Sequence, residues 1–311
     1  MLQAEQARPP KTKPSRSAIV VREERTALWF LLPSVLGTAV FVLIPIVISL
    51  LLGFTHWNPM RSISDVSFAG LENFRQILSD ERVLTAIVNN LKYTICYVPL
   101  TIAIALLLAS LLNKLVFGKL PLRMMVFMPY ISSMVSVAVV WMILFYPSDT
   151  GPINSILVNL FHVADPPKWF TSSEYAMAGI IIMSVWHDMG YYTIIILANM
   201  QGLPAEVYES ASLDGASRMQ TFWKLTVPML RSTLFLCTTL ATINSFKVFD
   251  QINIITEGGP RYSTTVLVQA IYYYAFKEFK FGYASAIAVV LFILVFLVTM
   301  LQRSVEKKLE D

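Results

Sequence analysis

Six apolar runs, each long enough to cross a lipid bilayer, constrain this chain more than any other feature. They cover roughly residues 28–54, 86–112, 120–146, 175–199, 227–249 and 281–301. At about 1.5 Å per helical residue, each spans a hydrocarbon core of about 30 Å, with tilt where the run is longer. Inside lipid, backbone N–H and C=O groups must be paired within a helix or a closed barrel. These runs are apolar all round and too long for barrel strands, so they read as helices. The expected fold is an all-α polytopic membrane bundle of six transmembrane helices. Charged residues make up only 14% of the chain, against about 25% in an average soluble domain. Pro33, Pro45, Pro99 and Pro129 fall inside the runs. They predict bends, which a bundle accommodates.

Basic residues orient the bundle. With the N-terminus inside, the pieces 1–27, 113–124, 200–231 and 302–311 are cytoplasmic and hold 15 Lys and Arg. The outer pieces 55–85, 147–174 and 250–280 hold 7. That bias places both termini in the cytoplasm. The expected organisation is a cytoplasmic, partly disordered tail over 1–27, a membrane domain over 28–301, and a short cytoplasmic tail over 302–311. The first tail is polar, basic and rich in proline, and reads as a retained segment rather than a cleaved signal peptide. The net charge of +4 is explained by orientation and does not suggest a nucleic-acid partner. Cys96 and Cys237 have neither disulfide nor metal spacing and read as small core residues.

The outer loops are the longer ones. Phe68 to Phe74 predicts the start of a short interfacial helix. Asn154–Phe161 predicts another, lying along the outer surface. The run Tyr272-Tyr273-Tyr274 with Phe276 suits a helix returning to the headgroup level.

No motif for catalysis is present. There is no phosphate-binding GxxxxGK[ST], no dinucleotide fingerprint, no HExxH and no paired-cysteine motif. Ser132-Ser133 has no base near it in sequence. An uphill step therefore needs energy from another subunit or from an ion. Polar residues inside apolar runs are costly unless they pair or line a cavity. His187 and Asp188 lie near the middle of the fourth run, Asn89, Asn90 and Lys92 in the second, and Asn244, Lys247 and Asp250 toward the end of the fifth. One reading is a polar path for a hydroxyl-rich solute, formed by Asn90, Asp188, Tyr191, Asn244, Lys247 and Asp250. Trp186 and Phe246 would join Tyr191 as stacking surfaces, and amides supply the donors and acceptors that a sugar needs. The other reading is hydrogen bonding between helices, with snorkelling lysines. His187-Asp188 also admits proton coupling in an ion-driven secondary transporter. Against that stand the absence of an evident inverted repeat and of broken-helix pairs in the sequence pattern.

One polar stretch interrupts the apolar pattern near the start of the last third. Tyr208–Pro228 reads YESASLDGASRMQTFWKLTVP. Its spacing predicts a short helix, a turn and a second short helix leading into the next span. Pro204 can open the first helix, and Glu206 and Glu209 then favour its positive end. Asp214-Gly215 permits a sharp bend. Phe222 and Trp223 suit a headgroup boundary. The same spacing also fits an amphipathic loop resting on the membrane.

This loop, with its flanking Leu203-Pro204-x-Glu206-x-Tyr208, resembles the "EAA" signature of the permease subunits of bacterial ABC importers. The later stretch FKVFDQINIITEGGP, with Ser263-Thr264 and Gly282-Tyr283-Ala284-Ser285-Ala286, resembles the branch that carries oligosaccharides or glycerol phosphates. The likeness runs from about residue 28 to the end. Ser210 departs from it, where many members have alanine. The resemblance implies a type I ABC importer permease fold in the bacterial cytoplasmic membrane. It implies that residues 204–228 form a coupling loop docking on a cytoplasmic ATPase dimer, with Glu206, Glu209, Ala211, Asp214, Gly215 and Ala216 as its coupling residues: Glu209 would anchor the loop, Gly215 would make the bend, and Ala211 and Ala216 would allow close approach. It implies a homologous second permease subunit and an extracytoplasmic solute-binding protein as further partners, besides membrane lipid. ATP and Mg would be bound by the ATPase, and this chain would hold no cofactor or metal. A sugar is the implied cargo, with glycerol 3-phosphate or a phosphodiester as the alternative.

Overall fold

The computed structural model describes residues 18–60, 65–114 and 118–310. Most of the expected N-terminal tail, residues 1–17, and Asp311 lie outside the described residues. The chain divides into two compact units, Met1–Leu51 and Leu52–Asp311. In the first, α1 (Ala18–Thr38) passes through a wide π turn at Ala39–Leu43 into α2 (Ile44–Leu52). The wide turn falls just before Pro45. A proline ring has no N–H and would crowd the carbonyl four residues back, here that of Phe41, in a regular α turn.

The second unit is a helix bundle with one small ladder. Strand β1 (Thr55–His56) pairs antiparallel with β2 (Ser67–Phe68). The expected outer helix comes next as α3 (Glu72–Ile77). Asn73 ties it to the ladder by donating to the carbonyls of Gly53 and Thr55, both at 2.9 Å. Asp80 then opens α4 (Glu81–Lys114), accepting from the Val83 N–H at 3.2 Å. α4 runs unbroken through Pro99.

The expected third span is two helices, α5 (Lys119–Ile131) and α6 (Met134–Leu144), bent by 95°. The bend expected from Pro129 is a sharp break, placed two residues after it. Ser132 and Ser133 adopt extended backbone, with ψ of 144° and 127°, and the Ser132 hydroxyl donates to the Met128 carbonyl at 3.1 Å. Serine side chains offer the backbone such alternatives to a helical partner. α7 (Pro152–Asn159) is the expected surface helix, with proline in its first turn. It is locked by Asn154, which accepts from the Trp169 indole at 2.6 Å.

α8 (Ala176–Gln201) is the centre of the bundle, packing against α4, α5 and α12. Small residues let these helices approach, which matters where lipid supplies no hydrophobic drive. Ala105 and Ala109 on α4 are fully buried. At Gly190 a Cβ would lie 2.0 Å from the Val126 carbonyl oxygen on α5.

Two short helices come after it, α9 (Ala205–Leu213) and α10 (Arg218–Thr221), then a π turn at Phe222–Thr226 and the single turn α11 (Val227–Met229). α12 (Arg231–Phe246) and α13 (Asp250–Ile255) continue the fifth run, separated by Lys247–Phe249. Arg218–Met229 meets Arg231–Ile255 at 69°. The wide turn again precedes a proline, Pro228, at the same offset as before Pro45. α14 (Leu267–Tyr272) carries the aromatic run into a third π turn at Tyr273–Lys277, and α15 (Phe281–Glu310) ends the described chain. Among the described residues, four helices are long and apolar enough to cross a membrane by themselves, and up to six if each bent pair counts as one span.

The Asp80 carboxylate ties the start of α4 to this last region. It accepts from the Tyr274 and Tyr283 hydroxyls at 2.6 and 2.8 Å. Burial pushes its pKa up, but these hydrogen bonds outweigh that and hold it below the ordinary value. Beside it, the Arg82 guanidinium sits 3.5 Å from the centre of the Tyr273 ring.

Candidate functional site

Two polar regions carry the candidate residues. The first is the loop between α8 and α12. Pro204 stands just before α9 with φ −65° and ψ 125°, so it caps the helix rather than occupying its first turn. Glu206 lies in that first turn, where the helix dipole favours a carboxylate. At the other end, the Gly215 N–H donates to the Ser212 carbonyl and the Ala216 N–H to the Ala211 carbonyl, at 3.2 and 2.9 Å. This is a Schellman ending, which needs a left-handed residue after the cap. Gly215 supplies it with φ +76°. A Cβ there would meet nothing within 4 Å, so the demand on Gly215 is conformational and not steric.

Ser217 then starts α10 with a capping box. Its hydroxyl accepts from the Gln220 N–H at 3.3 Å, while the Gln220 side chain accepts from the Ser217 N–H at 2.8 Å. The S-x-x-Q spacing was the available signal for it. Glu206, Glu209 and Asp214 are exposed, and Ala211 and Ala216 are half-buried, joined through their backbones. Leu213 is 89% exposed at the tip. A cleft of about 1010 Å³ lies along the loop, lined by Tyr208, Glu209, Ser212 and Arg218 together with Ser110 of α4 and Gln201 of α8.

The second region lies where α4, α5 and α8 meet. Asp188 accepts from the Tyr97 hydroxyl at 2.5 Å, and its other oxygen lies 2.6 Å from His187 Nδ1. His187 Nε2 faces the Ser132 carbonyl at 3.3 Å, at the break between α5 and α6. A carbonyl only accepts. For both ring contacts to be hydrogen bonds with an ionised Asp188, the ring must donate from both nitrogens. Such an imidazolium and carboxylate cancel in charge, which lowers their cost at membrane depth. Tyr191 stacks on Tyr130 with ring centres 4.7 Å apart. Asn244 of α12 joins α8 by donating to the Tyr192 hydroxyl at 3.3 Å.

Two of the sequence-based assignments are corrected here. Asn90 is fully buried: its side-chain oxygen accepts from the Leu267 N–H at 2.8 Å and its amide donates to the Ser245 carbonyl at 3.5 Å. It opens α14 and ties helices together, and presents no surface to a path. Phe246 is also fully buried and offers no stacking face. Lys247 and Asp250 are exposed at the gap between α12 and α13, and hydrogen bonds do not join them to the Asp188 cluster among the described residues. The structure therefore groups Asp188, Tyr191 and Asn244, adds Tyr97, Tyr130 and Tyr192 to them, and sets Lys247 and Asp250 apart.

Residues 101–311 match the family described as binding-protein-dependent transport system inner membrane component. The chain is 33% identical over 296 residues to the probable ABC transporter permease protein YesP of Bacillus subtilis, covering 93% of this chain and 92% of that one. It is 31% identical over 293 residues to the lactose transport system permease protein LacF of Rhizobium radiobacter, covering 93% and 96%. In fold it is similar to a chain of a bacterial alginate ABC transporter solved in complex with an alginate pentasaccharide-bound periplasmic protein. That match has a TM-score of 0.80 at 21% identity and covers 95% of this chain and 98% of the other.

Proposed function

This chain belongs to the family of binding-protein-dependent transport inner membrane components, the ABC transporter permeases, and on that premise we propose that it is the membrane-spanning subunit of an ATP-driven sugar importer. Lactose and arabinooligosaccharide permeases among its relatives support a carbohydrate cargo. Its partners are a cytoplasmic ATPase dimer that binds ATP and Mg, a homologous second permease, and an extracytoplasmic binding protein. Each bent pair counts as one span, giving six. The excess of basic residues on the loop side puts both termini and the loop in the cytoplasm.

The observation that carries this reading is α9, closed by Gly215 and projecting an 89% exposed Leu213 from a polar loop. A large apolar side chain at the tip of a rigid, capped turn fits a cleft on a partner better than it fits water. Glu206, Glu209 and Asp214 supply charge around it. Closure of the ATPase dimer displaces the loop. Packed helices shift as units, and the breaks at Ser132-Ser133 and Leu230 are where they turn. In the bundle, the Tyr130–Tyr191 face suits a sugar ring, while Asp188 and Asn244 supply polar contacts.

Proteoliposomes holding the assembled complex test this. Uptake of a sugar should require both internal ATP and the binding protein, and transport undiminished without the ATPase would overturn it. The His187–Asp188 pair motivates a second reading, an ion-coupled transporter, and the two bent spans remove the objection that broken helices are lacking. In that case an ionophore, and not ATP depletion, would stop uptake.

A further inference from the structure

α9 is poorly anchored. Among the described residues, a single side-chain hydrogen bond leaves it for another element: the Tyr208 hydroxyl lies 3.1 Å from Thr226 Oγ1. Thr226 is 6% exposed and closes the π turn ahead of α11. Its hydroxyl donates to the Thr221 carbonyl five residues back at 3.4 Å. That leaves the Thr226 oxygen to accept from Tyr208. Both residues line the cleft that separates α9 from the ends of α4 and α8. Beyond the π turn, Leu230 is 1% exposed, sits in the main core cluster and marks the 69° bend into α12.

We infer that the Tyr208–Thr226 hydrogen bond is the strut that passes displacement of α9 to the fifth span. Tyr208 and Thr226 are positioning residues, and the inference rests on the ATP-driven reading above. Without the strut, α9 rides with the ATPase across an open cleft while the Thr226 turn and α12 stay behind. Motion reaches α12 then only by the longer route along the chain, through the Gly215 turn, α10 and the π turn. Nothing in this requires either residue to touch the ATPase or the sugar.

Tyr208→Phe, Thr226→Val, the double variant and Thr226→Ser test it in the purified complex. Sugar imported per ATP hydrolysed should fall about five- to tenfold in each single variant, the range expected for losing one half-buried hydrogen bond. The double variant should be no worse than either single one, as for two ends of one interaction. Thr226→Ser, which keeps the hydroxyl, should couple normally. The ATPase should remain bound in all four. Wild-type coupling in Tyr208→Phe, or losses that multiply in the double variant, would overturn the strut. Release of the ATPase by Tyr208→Phe would overturn it in favour of a docking contact. If the unaltered chain retained no ATPase, the ATP-driven reading itself would fail instead. Should Thr226→Val not fold, Tyr208→Phe against Thr226→Ser still decides.

Discussion

The loop from Pro204 to Met229 and the cluster around Asp188 both carry polar groups in an apolar chain, yet they are held by different means. The loop is built from neighbours. Its Schellman ending, its capping box and its proline-linked wide turn each join residues within six positions of one another. The cluster is built from strangers. Tyr97 is 91 positions from Asp188, and Ser132 is 55 from His187. A site assembled from local bonds keeps its shape when its surroundings move, which suits a part that is handed from one subunit to another. A site assembled across three helices changes when any of them moves, which suits a gate or a binding cavity.

The largest expected effect breaks the packed region. Gly190→Val puts a side chain where even a Cβ lies 2.0 Å from the Val126 carbonyl. Overpacking against backbone costs about 3 kcal/mol or more, so folded protein in detergent, read by size exclusion, should be lost. Asp188→Ala comes next. It leaves the Tyr97 hydroxyl and His187 without their partner, at a cost of about 2–4 kcal/mol. The thermal midpoint should drop clearly, and substrate-stimulated transport with it. Gly215→Val separates the regions. A β-branched residue at φ +76° is strained by about 2 kcal/mol locally, but the core is untouched. The exposed turn can relieve that strain by fraying locally without opening the core, so the thermal midpoint should stay near that of the unaltered chain while ATP hydrolysis and uptake uncouple. Equal losses of stability in Asp188→Ala and Gly215→Val would erase the contrast.

The smallest effect concerns pH. Asp80 is held below its ordinary pKa of 3.8 by Tyr274 and Tyr283. A lowered carboxyl stabilises the fold fully above its ordinary value and loses that contribution as pH falls through the lowered one. Hydrogen exchange near the start of α4 should therefore rise only below about pH 4, and Asp80→Asn should remove that acid step. Asp80 is half-buried and is a single carboxyl, so the change is slight.

Much of the fold was legible because apolar runs of this length admit few structures. The element α7 was readable from the apolar stretch Asn154–Phe161, and α9 and α10 from Pro204 and Gly215, whose backbone demands act locally. The breaks were harder. Pro228 marks one, yet the same residue type at Pro99 leaves α4 intact, because neighbouring helices and side chains decide whether a proline bends its helix or is absorbed. Ser132-Ser133 stands out in the sequence only as a pair without a base nearby. In space the Ser132 carbonyl faces the His187 ring. Asn90 and Phe246 suit a polar path by residue type alone. Which face of a helix turns inward depends on packing that no short window of sequence records.

The claim that force enters through the loop is tested most directly by labelling Leu213→Cys in a Cys96→Ser background, since Cys96 is exposed and Cys237 is buried. A membrane-impermeant maleimide should label it in inside-out vesicles only, and bound ATPase should protect it. Labelling in right-side-out vesicles, or labelling unchanged by the ATPase, would contradict the account.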